Sequence, residues 1–200
     1  MSLQFLRVLA QRRPAQAITA EAPERAELER IVSAAVGPAV PGTRPAWRLI
    51  GTRREDAPQL AAALSGFKNL PDLKETTPRL KGKQMRRVAA FRGSLAFASN
   101  GGLALALIFR PRRGSGLPRR LQRGEALGAR VVLEAAFYAS GWATQWSPRK
   151  SPDAELLARF YRLKSEEEVL GWLFVGRPAP EFAGDHAATL PPSRAPLELR

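Results

Sequence analysis

The chain contains no cysteine and only one histidine in 200 residues. The first absence excludes disulfides, thiolate nucleophiles and cysteine-based zinc sites. The second leaves a Ser-His-Asp triad or a histidine metal cluster almost nothing to draw on, because His186 lies in a proline-rich tail. Long apolar runs are also missing. The longest, Leu103 to Phe109, is too short to cross a bilayer as a helix, so no membrane span is expected. Acidic residues are missing from one long stretch, Thr76 to Gly124. There Arg79, Lys81, Lys83, Arg86, Arg87, Arg92, Arg110, Arg112, Arg113, Arg119, Arg120 and Arg123 supply twelve positive charges. The formal net charge of the chain is +14, so this basic, acid-free segment (76–124) holds nearly all of the excess. A concentrated patch carries more meaning than a general bias.

What is present is globular. With 44% hydrophobic residues the chain can bury a core, and its length suits one domain that hides roughly 70% of its unfolded surface. The first twenty residues lack acids and carry Arg7, Arg12 and Arg13, a superficial likeness to a transit peptide. Leu3, Leu6 and Leu9 with Phe5 read better as an ordinary N-terminal helix, and the expectation is a mature cytoplasmic protein.

The patterning predicts a helix from Ser2 to Gln11 and a second one starting near Pro23. Glu24 and Glu27 suit the positive end of its dipole, and Leu28, Ile31, Val32 and Ala35 form its apolar face, with Gly37 and Pro38 as its stop. Trp47 to Ile50 is a short strand. Asp56-Ala57-Pro58 caps a helix through Leu60 and Leu64 that ends at Gly66. Residues 67–100 read weakly, as one irregular helix. Leu103 to Phe109 suits a buried strand, and Arg110 to Arg120 a loop. Residues 122–140 form a long helix with Val131, Val132, Ala135, Ala136 and Ala139 inside and Gly141 as its stop. Trp142 to Trp146 is a strand, Ser151-Pro152 opens a helix through Leu156, Leu157 and Phe160, and Val169 to Val175 is the last strand. Strands separated by helices indicate an α+β three-layer domain over 1–176, with a Pro-rich tail over 177–200.

Several blocks, taken in order, resemble the nitroreductase family, in its short single-domain branch. They are Ser2-Leu-Gln-Phe-Leu-Arg7 leading to Arg12-Arg13, Trp47-Arg-Leu-Ile50, Leu117-Pro118-Arg-Arg-Leu-Gln122, Gly141-Trp-Ala-Thr-Gln-Trp146 and Glu166-Glu-Glu-Val-Leu-Gly-Trp-Leu-Phe-Val-Gly176. The resemblance implies a mixed, mainly antiparallel sheet flanked by helices, a homodimer with flavin sites at its seam, and FMN as cofactor. It further implies NAD(P)H as hydride donor and a small nitro or quinone-like acceptor. Flavin positioning would fall to Arg12, Arg13, Arg44 and the Trp146–Arg149 segment, with Trp146, Ser147 and Arg149 as contacts. No side chain is assigned acid–base work, so the catalytic set is empty.

The chain departs from the family pattern where flavin contacts are expected. Pro14 stands where the Arg-Arg block continues with serine, removing a hydroxyl and a backbone N–H. Ala17 replaces a frequent basic residue, Val40-Pro41 an Asp-His pair, and Ala46-Trp47 a Pro-Trp pair. Ser147-Pro148-Arg149 replaces Arg-Ser/Thr-Gly, and Arg120-Leu121-Gln122 replaces Trp-Glu-Gln. Each lost charge-assisted phosphate contact removes about 1.5–3 kcal/mol, so the site reads as eroded.

Bland readings compete with the sharp ones. Trp47, Trp142, Trp146 and Trp172 are expected in the core or at a dimer seam rather than as stacking platforms. Arg12-Arg13 is either a phosphate clamp or a solvated helix C-terminus. Gly114-Ser-Gly116 lacks P-loop spacing, and Glu166-Glu167-Glu168 is expected in an exposed turn. The basic segment is either a solubilising Arg-rich surface or a docking site for nucleic acid, ribosome or another polyanion through Arg110, Arg112, Arg113, Arg119, Arg120 and Arg123. The second reading is the alternative function: a non-catalytic nitroreductase-fold scaffold.

Overall fold

The computed structural model describes residues 6, 8, 15, 17–36, 44–70, 82–149 and 154–180. Leu6 and Val8 are helical, while the rest of the expected first helix, Arg12 and Arg13, and the breaks at Gly37, Pro38 and Ser151-Pro152 lie outside these residues. So do Pro14, Val40, Pro41 and His186.

Four strands form one sheet: β1 (Trp47–Arg53), β2 (Leu103–Phe109), β3 (Ala143–Pro148) and β4 (Glu168–Gly176), in the order β1-β2-β4-β3. Every pairing is antiparallel. All seven residues of β2 are buried, as expected of a strand with both faces covered. Among the described residues five longer α-helices supply the covers: α1 (Arg25–Val36), α2 (Ala57–Leu64), α3 (Lys83–Ala98), α4 (Arg119–Ala139) and α5 (Ala154–Phe160). Alternation along the central strands divides the core. Leu103, Leu105, Leu107, Phe109, Leu173 and Val175 point to α1 and α4, whereas Ala104, Ala106, Ile108, Trp172 and Phe174 point to α2, α3 and α5. The small alanines on the second face leave room for aromatics. Phe97 meets Trp172 and Phe174 edge-on at 5.5 and 4.8 Å, a favoured arrangement. The result is the expected α+β three-layer domain.

The expected apolar face of α1 is confirmed: Ile31 is buried, with Leu28, Val32 and Ala35 packed beside it. Trp47, Trp142 and Trp172 are core residues. Trp142 Nε1 donates to Glu27 at 2.9 Å and Trp172 Nε1 to the Tyr161 hydroxyl at 2.8 Å, so both indoles keep a polar partner. Asp56 precedes α2 as expected but makes no side-chain cap bond. The weakly read 67–100 region contains a regular sixteen-residue helix, α3. Alanines, Gly93 and scattered arginines blur its period, and its burial rests mainly on Phe91 and Ala98.

The inner face of α4 corrects the sequence reading. Gln122, Ala126, Leu133 and Phe137 are buried at helical spacing, while Val131 and Val132 are 39% and 47% exposed and Ala139 is exposed. The Val131–Val132 pair suggested a core phase, but Phe137 and Leu133 bring more apolar surface to the sheet and set the helix rotation.

An N-terminal arm closes the sheet's edge. Thr19 N donates to Arg177 O at 2.9 Å, Ala179 N to Ala17 O at 3.2 Å, and Ala15 N to Thr144 O at 3.3 Å. Arg177, Pro178 and Ala179, beyond the expected boundary at 176, are therefore tied to the domain. Gly102 lets this arm approach: a Cβ there would press into the carbonyls of Ala20 and Glu21. Gly102→Ala should therefore cost about 1–3 kcal/mol through overpacking. Urea unfolding of the variant beside the native chain measures it, and an unchanged midpoint would contradict the close approach.

Candidate functional site

Functional candidates collect at one end of the sheet, where β1 begins, β2 and β3 end, and β4 begins. The edge strand β3 brings Trp146, Ser147 and Arg149 there. Trp146 is half-buried, with the Arg130 guanidinium 5.4 Å from its ring centroid. Its indole lies against Gly171, where a Cβ would sit 2.6 Å from the ring. Arg149 N donates to Leu170 O at 3.0 Å, extending the ladder one residue past the strand. Gln145 is committed too: its amide nitrogen donates to Ala15 O and its oxygen accepts from Asn100, both at 2.6 Å.

Arg44 belongs to the other edge. It precedes β1, and with the order β1-β2-β4-β3 it lies three strand spacings from Trp146–Arg149, about 14 Å. The structure does not bring Arg44 together with Trp146, Ser147 and Arg149 within one chain.

Beside Arg44 lies a cluster that sequence reasoning missed. Glu167 is buried, not exposed as the Glu166–Glu168 turn was expected to be. It accepts both arms of Arg48, Nε at 3.0 Å and Nη2 at 2.9 Å, and also Lys164 N at 3.0 Å. Burial pushes the Glu167 carboxyl up. The Arg48 fork, the Lys164 N–H and the charges of Arg48 and Arg110 outweigh this and hold it below its ordinary value. The only hint in the sequence is Arg48 inside an apolar strand, which calls for an acid across the sheet.

The same end gathers the basic loop, and the acid-free segment is not free of acids in space. Arg112 forks onto Glu125 at 3.0 and 2.8 Å. Arg113 pairs with Glu166 at 3.2 Å and Arg123 with Glu168 at 2.7 Å. Arg119 covers the Phe109 ring at 4.9 Å and donates to Glu166 O. Arg110 is half-buried and Arg120 is exposed. The linear charge count overstated the patch because its neutralising carboxylates come from α4 and from the turn before β4. Gly114 and Gly116 adopt positive φ in this loop, and Ser115 Oγ accepts from Gln122 Nε2 at 3.0 Å. Among the described residues no acid or histidine group is arranged to hold a metal, and no helix is long and apolar enough to cross a membrane.

The architecture matches solved structures across nearly its whole length. A nitroreductase-like family protein from Bacillus cereus superposes with a TM-score of 0.64 at 14% identity, over 90% of this chain and 88% of that one. The FMN- and NADPH-dependent nitroreductase NfnB from Sphingopyxis sp. strain HMH, in a point-mutant form, gives 0.61 at 20% identity, covering 96% and 95%. Oxidised iodotyrosine deiodinase bound to FMN and 3-iodo-L-tyrosine gives 0.57 at 17% identity, covering 88% and 90%. No protein-family model and no curated protein matches the sequence. The chain has the nitroreductase-like fold.

Tested against FMN, the described part of the β3 edge fits poorly. Pro148 has no N–H, the Arg149 N–H is spent on Leu170, and the recess at Gly171 is filled by the chain's own Trp146.

The Arg48–Glu167 pair yields a test. Glu167→Gln keeps the shape and removes the charge, and should cost about 1–3 kcal/mol, because Arg48 is partly exposed and regains water. A carboxyl depressed in the folded state stabilises above its unfolded value and loses that contribution as pH falls through the folded value. The difference between native chain and variant should therefore shrink on acidification. Denaturation at neutral and acid pH checks it, and a pH-independent difference would contradict the charge pairing.

Proposed function

We propose that this chain is a homodimeric nitroreductase-family protein whose flavin site is eroded, so that it binds FMN weakly. In relatives with the site intact, the activity is hydride transfer from NAD(P)H to a nitro or quinone-like acceptor; in this chain that activity is low. The observation that carries the reading is the commitment of donors at the β3 edge: Arg149 N–H to Leu170 O, and Gln145 to Ala15 and Asn100. The substitutions at Pro14, Ala17, Pro41, Ser147 and Pro148 agree with it. Arg12 and Arg13 remain as candidate phosphate contacts.

Support for the dimer comes from the outward face of α4. Leu121, Gly124, Gly128 and Val132 follow one another at i, i+3, i+7 and i+11, flanked by Leu127 and Val131. Leu121 is 51% exposed, and no neighbour lies near either glycine. An apolar stripe of this length on a long helix is costly to leave in water. The placement of Arg44 and Trp146–Arg149 at opposite edges agrees, since a site using both would need residues from two copies.

The non-catalytic polyanion-binding alternative is weakened by the ion pairs of Arg112, Arg113 and Arg123. No observation favours it over the flavoprotein reading.

Two measurements test these statements. After extensive dialysis the protein should show no flavin absorbance, and added FMN should lose little fluorescence on mixing. A yellow preparation with one flavin per chain would overturn the erosion. Sedimentation should give a dimer at micromolar concentration, and replacing Val131 and Val132 together by glutamate should give a folded monomer. A native chain that sediments as a monomer would defeat the dimer.

A further inference from the structure

Four carboxylates reach the sheet end where β1 begins and β2 finishes, and each is already engaged. Glu125 Oε1 accepts from Ala46 N at 3.1 Å and Arg112 Nη1 at 3.0 Å, and its Oε2 takes Arg112 Nη2. Glu167 is filled by Arg48 and Lys164 N. Glu166 serves Arg113, and Glu168 serves Arg123. The guanidiniums of Arg44 and Arg110 are left with no acid partner among the described residues, and Arg110 Nε is buried with no hydrogen-bond acceptor. A buried unpaired donor is uncommon in native proteins and calls for an explanation.

The backbones of both residues are fixed. Arg110 N donates to Ala46 O at 2.8 Å, and Arg44 O accepts from Arg112 Nη1 at 3.0 Å. The Arg110 guanidinium is held below its ordinary range, first by burial and then by repulsion from Arg44, with Arg48 adding to this against the attraction of Glu167. An anion bridging the two guanidiniums would relieve the repulsion between them.

We propose that Arg44 and Arg110, juxtaposed where the β1 and β2 ends meet, form a binding site for a phosphate group of a small ligand. Two unpaired guanidiniums match a phosphate monoester, which carries a charge of about −1.5 to −2 at neutral pH. Their planar forks suit its oxygens. A polynucleotide fits less well, because Arg112, Arg113 and Arg123 are tied to carboxylates and provide no continuing track of cations. The site lies at the opposite edge of the sheet from Trp146–Arg149.

The test is calorimetric titration of the full chain with sodium phosphate and, separately, AMP, at constant ionic strength. Arg110→Met and Arg44→Ala should each weaken binding at least tenfold, a loss of about 1.4 kcal/mol, while Arg120→Ala leaves it unchanged. Tighter binding of AMP assigns the site to a nucleotide, and equal binding assigns it to free phosphate. Without ligand, Arg110→Met should melt no lower than the native chain, since it removes a buried unpaired donor. If that variant does not fold, Arg44→Ala decides alone, because Arg44 is exposed. No phosphate binding by the native chain, full affinity in Arg44→Ala or Arg110→Met, or an equal loss in Arg120→Ala would overturn the site.

Discussion

The ladder between β2 and β4 is the constraint on which the other elements depend. Its seven paired positions run from Leu103 opposite Val175 to Phe109 opposite Glu168, with one irregularity between Leu107 and Ile108. Both strands are covered on both faces, so neither tolerates a shift of register: a slip by one residue would exchange the alanine face for the leucine face. Ala104 and Ala106 would then meet α4, and the space that Phe97, Trp172 and Phe174 fill would receive leucines. The edge strands β1 and β3 hang on this pair, and Gly171 in β4 accepts the Trp146 side chain from β3.

Much of this frame is legible in the sequence. Leu103 to Phe109 is an unbroken apolar run, and its boundaries coincide with those of β2. The Leu28, Ile31, Val32, Ala35 pattern also marks the buried face of α1 correctly. The failures have physical causes. In α4 two stripes compete, Val131–Val132 against Leu133–Phe137, and only the tertiary partner decides which one turns inward. In α3 little of the surface is buried, so the sequence is under weak pressure to show a period.

The site was less legible, because charge pairing is a property of space. Counting along the chain makes 76–124 a patch of one sign. Folding sets Glu125, Glu166 and Glu168 against it, pairings that a count along the chain does not show. Several of these pairs are exposed on one side, where each adds little to stability. Their larger effect is to use up the cations that a polyanion would need. The resemblance to nitroreductases, by contrast, rests on ordered blocks and foretold the fold. It assigns Arg44 to a flavin and says nothing of the pairing of Arg44 with Arg110, which belongs to this chain's own charge arrangement.

The two edges of the sheet therefore carry opposite tendencies. At β3 the chain has spent its donors internally: Gln145 ties the N-terminal arm to Asn100, Arg149 extends the ladder, and an indole fills the recess at Gly171. A ligand that sought the Arg149 N–H or the Gln145 amide would first have to break a contact that folding has made. At β1 the reverse holds. Among the described residues the carboxylates are engaged while two guanidiniums lack an acid partner, one with a buried, unbonded Nε. An anion bridging Arg44 and Arg110 there would displace no carboxylate of the described residues. On energetic grounds the β3 edge, with the Arg149 N–H and the Gln145 amide engaged, is the poorer place for an anion, and the β1 edge, whose Arg44 and Arg110 the sequence reading placed in separate candidate sets, is the better one.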